Sequence, residues 1–282
     1  MKRLVLVSVL AVQTFAAVLC SAQNLFTKWE DRVRKTSAEQ PGWVVPVITP
    51  AAIVTQLIKP EFARQITTTH GETDIWGDNK GLQLIPYYKT EVDIVIPPYI
   101  EHNNPAYGNV KNLDGAGDFS MVLKYRPFTS NEQHHNYSVA VQLAASGATG
   151  SYKNGVLRNT YTPNLIVGKG YKRFDVQSAL GGNLPIGNIH TIGRTIAWNT
   201  VAQYRIWKLW PEVELNSTWF HLGPNDGKNQ TFVTPGLMVS KFKLRKNPKD
   251  RLSVNFGAGM QIATSPFHAY NHAIVVTTRF VF

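Results

Sequence analysis

RLSVNFGAGMQIA (Arg251–Ala263) is the stretch that decides how this chain is read. Leu252, Val254, Phe256, Ala258, Met260 and Ile262 share one face of an extended segment, and Ser253, Asn255, Gly257, Gly259 and Gln261 share the other. Successive side chains of an extended chain point to opposite faces, so apolar residues at period two mark a strand with one greasy side. The pattern recurs from about residue 81 to the end. Tyr137, Val139, Val141 and Leu143 oppose Ser138, Ala140, Gln142 and Ala144. Ile196, Trp198, Ala202, Tyr204 and Ile206 oppose Asn199, Gln203 and Arg205. Val213, Leu215 and Trp219 oppose Glu212, Glu214, Asn216 and Thr218, and Val92, Ile94 and Ile96 oppose Glu91 and Asp93.

The second face repeatedly carries charge. A soluble sandwich also alternates, but its apolar residues are rarely spread so evenly over every strand. A barrel that faces lipid needs the pattern on all of them, and lipid cannot satisfy a free backbone edge, so the sheet must close. The expected fold is all-β: a closed antiparallel transmembrane β-barrel of about twelve strands. The strands fall at roughly 61–69, 81–87, 90–97, 117–127, 136–146, 160–170, 173–182, 195–207, 209–221, 229–241, 251–264 and 272–282. Tyr88-Lys89, Tyr171-Lys172 and the lone Lys208 are expected as tight turns; 70–80, 98–116, 147–159 and 183–194 as long loops. Short turns at one end and long loops at the other are the asymmetry of an outer-membrane barrel. Pro163 and Pro235 fall inside proposed strands, where the missing N–H is a cost.

The start of the chain sets the compartment. Lys2 and Arg3, an apolar run from Leu4 and a small-x-small site at Cys20-Ser21-Ala22 form a secretory signal peptide, cut after Ala22. The single cysteine, Cys20, lies in that segment, so the mature chain is expected to hold no disulfide. The domains are then 1–22 signal peptide, 23–60 a short N-terminal periplasmic segment or a plug that enters the lumen, and 61–282 the barrel. LFTKWEDRVRK (Leu25–Lys35) suits one amphipathic helix, and the following VVPVITPAAIVTQLIKP is apolar and broken by proline. The formal charge of +11 is concentrated partly in KFKLRKNPKDR (Lys241–Arg251). Export argues against nucleic acid as its partner. The open readings are a solvated turn beside a membrane, or attraction to anionic headgroups or solutes.

Trp207, Trp210, Tyr171, Phe128, Phe242, Phe280 and Phe282 fall near strand ends, where amphipathic rings favour the headgroup interface. In TTRFVF, Phe280 and Phe282 continue the apolar row of Ile274 and Val276, with Arg279 on the other face. This ending resembles the C-terminal signal of bacterial outer-membrane proteins read by the barrel-assembly machinery. Outer-membrane lipids, lipopolysaccharide and that machinery are the expected partners, alongside an unidentified small-molecule solute.

The body carries a family likeness. Gly117-Asp118 opens a strand that ends in Lys124-Tyr125-Arg126, and the next strand leads to Thr149-Gly150-Ser151-Tyr152. Over roughly 81–282 this resembles the outer-membrane proteins named after the meta-pathway of phenol degradation. Ala148 departs from the proline expected there. The resemblance implies a barrel with a role in passing organic compounds, and it carries no catalytic or ligand residues to transfer.

His134-His135, His268 and His272 have no cysteine and no acid at a telling spacing, so neither metal nor cofactor is expected. Ser217 and His221 share strand parity, which keeps an outer-membrane lipid hydrolase as the enzyme alternative to a non-enzymatic barrel. A structural or surface-binding barrel is the third reading. The proposed lumen-facing charges are Glu91, Asp93, Lys124, Arg126, Asp175, Arg205, Glu212, Glu214 and Arg279. They either brace the wall or line a selective polar path. A turn centred near Lys208 brings Arg205 opposite the region of Glu212. The function expected is passive passage of small organic, aromatic or hydrophobic compounds across the bacterial outer membrane. Cell fractionation checks the compartment: the chain is expected in the outer-membrane fraction with Gln23 as its first residue, and recovery as a soluble periplasmic protein contradicts the reading.

Overall fold

A computed structural model describes residues 26–77, 81–103, 113–151, 154–246 and 251–282. The expected signal peptide with Cys20 lies outside the described residues, as do Tyr152 and positions 247–250 of the basic turn. Sixteen strand segments form one sheet. They are β1 Leu57–Ile58, β2 Glu61–Ile66, β3 Glu72–Trp76, β4 Leu82–Tyr87, β5 Thr90–Val95, β6 Tyr99–Asn103, β7 Gly115–Ala116 and β8 Ser120–Ser130. The series continues with β9 Tyr137–Ser146, β10 Thr160–Tyr171, β11 Phe174–Pro185, β12 Arg194–Tyr204, β13 Leu209–His221, β14 Asn229–Lys243, β15 Ser253–Ala263 and β16 His272–Val281.

The first eight segments are four staves, each broken once. β1 and β2 both lie antiparallel to β16, through Ile58↔Phe280 and Glu61↔Thr277. β3 and β4 follow that broken stave, through Trp76↔Phe62 and Leu82↔Ile58. The same holds for β5 with β6 and for β7 with β8. Twelve antiparallel staves result, and the β1–β16 pairing closes them into a barrel. The breaks fall beside one another, at Lys59-Pro60, between Gly77 and Gly81, at Pro97-Pro98 and at Gly117. Single bonds bridge them: Lys59 N–H to the Gly81 carbonyl, Gly77 N–H to that of Glu61 and Gly117 N–H to that of Pro98. Proline removes a ladder donor, and glycine in a strand admits a bend or a close approach.

Outward positions form an apolar belt. Met121, Leu123, Val141, Leu165, Leu180, Val213, Phe256 and Ile274 are all exposed on the protein's own surface. Exposed Tyr171, Trp207 and Phe128 end the staves, and Lys172 and Lys208 sit 5.3 and 5.2 Å over the Tyr171 and Trp207 rings. On one side of the barrel the line of breaks is followed by outward aromatics, Phe62 packed against the exposed Trp76, with Tyr99 beside it. Beyond them the outward face of β2, β3 and β6 carries Arg64, Glu72, Asp74 and Glu101, with Arg64 holding Asp74 by two bonds of 2.7 Å.

Several boundaries differ from the sequence reading for this reason. Positions 70–80 and 98–116, expected as loops, contain β3, β6 and β7. The first stave starts at Leu57, four residues earlier than expected. The tight turns are Tyr88-Lys89, Lys172-Arg173 and Trp207-Lys208, with Lys89, Lys172 and Trp207 at positive φ. Pro163 and Pro235 are accommodated where a ladder skips: β10–β11 pairing jumps from Tyr161 to Asn164, and β14–β15 from Val233 to Gly236. Trp210, expected near the headgroups, is buried on the inner face and donates to Ser240 Oγ at 3.0 Å. Its even number places it with Glu212 and Glu214, not with Val213.

Asp118 builds the loop beyond β9. Its carboxylate accepts the backbone N–H of Thr149 (3.0 Å), Gly150 (2.8 Å) and Val156 (2.5 Å), while Thr149 Oγ1 accepts the N–H of Phe119 (2.9 Å). Asp118→Ala leaves three amides without their charged acceptor, each such bond being worth about 1.5–3 kcal/mol. Limited proteolysis is expected to cut this variant within 147–156 at rates where the parent resists, with unchanged heat-modifiable migration on gels.

Candidate functional site

The lumen is filled from the short-turn end. Residues 26–38 form a helix, α1, below the rim. Trp29, Val33 and Thr36 recur at helical spacing, and Val33 packs with Val54 and Ile85 while Trp29 lies against them. After α1 the chain enters the barrel and runs without regular structure through 41–56. We refer to 39–56 as the plug.

A buried irregular segment must find partners for its backbone. Here the barrel wall supplies them. Glu212 accepts the Val47 N–H at 2.9 Å. Glu214 takes those of Ile48 and Thr49 at 2.8 and 2.5 Å. Gln177 accepts the Ala52 N–H at 3.0 Å, and Glu91 accepts that of Thr55. Plug carbonyls are met by donors. Ser138 Oγ donates to Ala52 O at 2.7 Å, and Arg279 donates to the carbonyls of Val45 and Pro46. Arg126 donates to Thr36 O (3.1 Å) and to the Gln40 side chain, which itself bonds both backbone groups of Val54.

Apolar contacts complete the seat. Trp43, Ala51, Ala52 and Ile53 pack on the inward Ala140, Ile166 and Ala179. Val44 and Val47 pack against Ala63, Trp210, Met238 and Val275. Each large side chain buried this fully contributes about 1.5–3 kcal/mol. Gly168 makes room for the indole: a Cβ there would stand 2.5 Å from Trp43 Cζ3.

Eight of the nine charges expected in the lumen are buried: Glu91, Asp93, Lys124, Arg126, Asp175, Glu212, Glu214 and Arg279. All eight lie in the half of the barrel nearer the short turns. Lys124 pairs with Glu91 across β5 and β8, and Asp93 takes a bond from Gln83 at 3.3 Å. Asp175 accepts from Gln177 at 3.2 Å. Nearer the loops the inward positions are neutral amides and hydroxyls, including Gln142, Thr162, Asn164, Asn199, Thr218 and Gln261. Gln177, Ser138 and Gln40 are plug-holding residues that charge alone did not single out, although Ser138 has the inward parity of its strand and Gln177 that of Asp175.

Arg205 is a correction. The β12–β13 register places Gln203, not Arg205, opposite Glu212, and Gln203 donates to it at 2.5 Å. Two residues, Trp207 and Lys208, form the turn, because Ile206 pairs with Leu209; the expected single-residue tip shifts the register. Arg205 lies beyond the strand end and bridges to Glu132 of the neighbouring turn at 3.2 Å. Tyr88 ties another turn to the plug by donating to Glu39; burial and that bond push its phenol up to about 12, so it remains a donor across the physiological range.

Ser217 and His221 do not meet. Ser217 shares a hydroxyl bond with Thr231 at 3.1 Å, and His221 is four strand residues away, roughly 13 Å along the stave. His268 Nδ1 lies 2.9 Å from the Ser265 carbonyl, and among the described residues no three His, Cys, Asp or Glu side chains gather as a metal site. At the chain end, Phe280 is exposed in the apolar row and Phe282 donates its N–H to Gln56 O.

No family model and no curated protein matches the chain. Among solved structures it is similar to the COG4313 outer membrane channel from Pseudomonas putida F1, with a TM-score of 0.55 and 14% identity over 85% of this chain and all of that one. At this identity the likeness is one of fold, a barrel of the outer-membrane kind.

Gly168→Val is expected to expel the Trp43 indole. Protease then cuts within 39–56 while the barrel keeps its heat-modifiable migration, and Trp43→Ala in the same chain restores protection in part. Undiminished protection in Gly168→Val would show that Trp43 is not seated against this wall.

Proposed function

We propose that the protein is an outer-membrane channel whose passage is set by its own N-terminal segment, and that it passes small organic solutes without energy input. The observation that carries this is the way the plug is held. Residues 39–56 cross a closed lumen on hydrogen bonds to Glu212, Glu214, Gln177, Ser138 and Arg279, all of them reversible. A barrel built only as a wall gains nothing from interior carboxylates reserved for a removable segment. The fold likeness to an outer membrane channel and the exposed apolar belt support the membrane setting.

The lining suggests the cargo class. On the loop side a solute meets Asn, Gln and Thr side chains, which bind a hydroxyl or carbonyl without demanding a charge. On the plug side the partly buried Val45 and Ile48 add apolar surface. Small molecules with an apolar body and one or two polar groups suit this sequence of surfaces. The resemblance to the phenol-degradation family points to the same class, aromatic or otherwise hydrophobic compounds.

Planar-bilayer recording tests the reading. The parent is expected to conduct little, in brief events. Glu214→Ala removes the acceptor of two buried amides, about 1–3 kcal/mol each, and is expected to raise the open fraction. Deletion of 41–54 is expected to give steady conductance and faster entry of phenol-sized solutes into liposomes. Absence of conductance in both variants, with barrels intact on gels, would leave a wall without transport.

A further inference from the structure

Outside the lumen, at the short-turn end, a cavity of about 520 Å³ lies between α1 and the seam where β16, β1 and β4 meet. That volume is in the range of small-molecule sites. Its walls are of two kinds. Phe26, Trp29 and Val33 of α1 face Leu84, Leu252 and Phe282 across it. Leu84 pairs with the outward Val92, and Phe282 extends the outward row of Phe280 and Val276, so this side of the cavity is continuous with the apolar belt. The other wall is polar, with Arg34, Arg245, Arg251 and Glu30 among its residues.

Glu30 is engaged by Arg34 at 3.3 Å. Arg251 donates through Nη2 to Ser37 Oγ at 3.1 Å, but its Nη1 is buried and has no hydrogen-bond partner among the described residues. An unmet guanidinium N–H in such a place is costly, and an anion is its natural acceptor. Burial, with the like charge of Arg34, lowers the Arg251 pKa from its ordinary value, the direction a missing counter-ion produces.

We propose that this cavity binds an anionic amphiphile, with a carboxylate or phosphate on Arg251 and its neighbours and an acyl or aryl tail along Trp29, Leu84 and Phe282. Two sources offer that chemistry: a phospholipid of the inner leaflet of the outer membrane, and a free amphiphilic acid. The position agrees with either, because the aromatic ends of the staves mark the headgroup level at this rim. The basic stretch Lys241–Arg251 thereby acquires a specific task at its last residue. The proposal rests on the lipid-facing reading of the belt and is independent of whether the lumen conducts.

The test uses the full mature chain in non-ionic detergent, where a barrel that never conducts still answers. Trp29 lies in the cavity wall, so a brominated fatty acid is expected to quench a fluorescence component that is missing in Trp29→Phe. Arg251→Gln is expected to weaken this binding about tenfold or more, the scale of one charged hydrogen bond. The corresponding brominated alcohol should bind correspondingly less well than the acid. Arg158→Gln, at the loop end of the barrel, serves as the control, and heat-modifiable migration confirms that each variant is folded. Lipid extracted from the purified parent separates the sources. Phosphatidylglycerol retained by the parent and lost from Arg251→Gln identifies a membrane lipid; binding of the free acid with no retained lipid identifies a soluble amphiphile. Both outcomes support the site. Equal affinity for acid and alcohol, or unaltered quenching in Arg251→Gln, overturns it.

Discussion

Irregular backbone cannot be buried unless something else completes its hydrogen bonds, and that constraint organises this protein. Residues 41–56 have no ladder of their own, so their N–H and carbonyl groups are met by side chains from the wall. Glu212, Glu214 and Glu91 are acceptors, and Arg279 and Ser138 are donors, while Arg126 holds the end of α1 at Thr36 O. The distribution of charge over the whole inner surface follows. Charged groups gather where the plug is, and neutral amides and hydroxyls occupy the half where it is not. An interior carboxylate facing a backbone amide is also better placed than one facing hydrocarbon or an empty cavity, since burying an unpaired charge is expensive.

The wall obeys the complementary rule. Its backbone groups are satisfied within the ladders, so its outward side chains are free to be apolar. Beyond the place where the ladders break together, at Pro60, Gly77, Pro97-Pro98 and Gly117, the outward surface begins with the aromatics Phe62, Trp76 and Tyr99 and then carries charge. Arg64 and Asp74, paired side by side, belong to a surface in contact with water or polar headgroups. The loop beyond β9 is then held by Asp118 in the manner of the plug, a carboxylate collecting backbone N–H groups from an irregular segment.

How much of this was legible in the sequence depends on whether the signal was periodic. Strands such as Ser253–Ala263 and Leu209–His221 were readable because lipid on one side and polar groups on the other enforce strict alternation. β3 and β6 were not, because both their faces carry polar residues and period two vanishes when the outer face is charged. The buried charges could be chosen by parity, yet parity cannot name their partners. Nothing periodic links Glu214 to Thr49 across 165 positions. Arg205 went astray by two positions, Gln203 taking its place opposite Glu212, since the composition of the turn tip changes every pair in the hairpin. The plug itself was visible only as an apolar stretch interrupted by prolines, a composition that a lead-in outside the barrel would share.

The seam has a consequence for how the molecule comes into being. Leu57, the first residue of the wall, follows the plug directly and is hydrogen-bonded between β4 and the end of β16 at Val281. The two edges that close the cylinder are thus separated by nearly the whole chain, the costliest kind of contact to form early. A plug threaded into a finished cylinder would have to shed its partners and cross the rim. A plug joined to the closing edge is already at the mouth while the sheet is still open. The cylinder can therefore curl around its occupant, with interior filling and closure accomplished in one event.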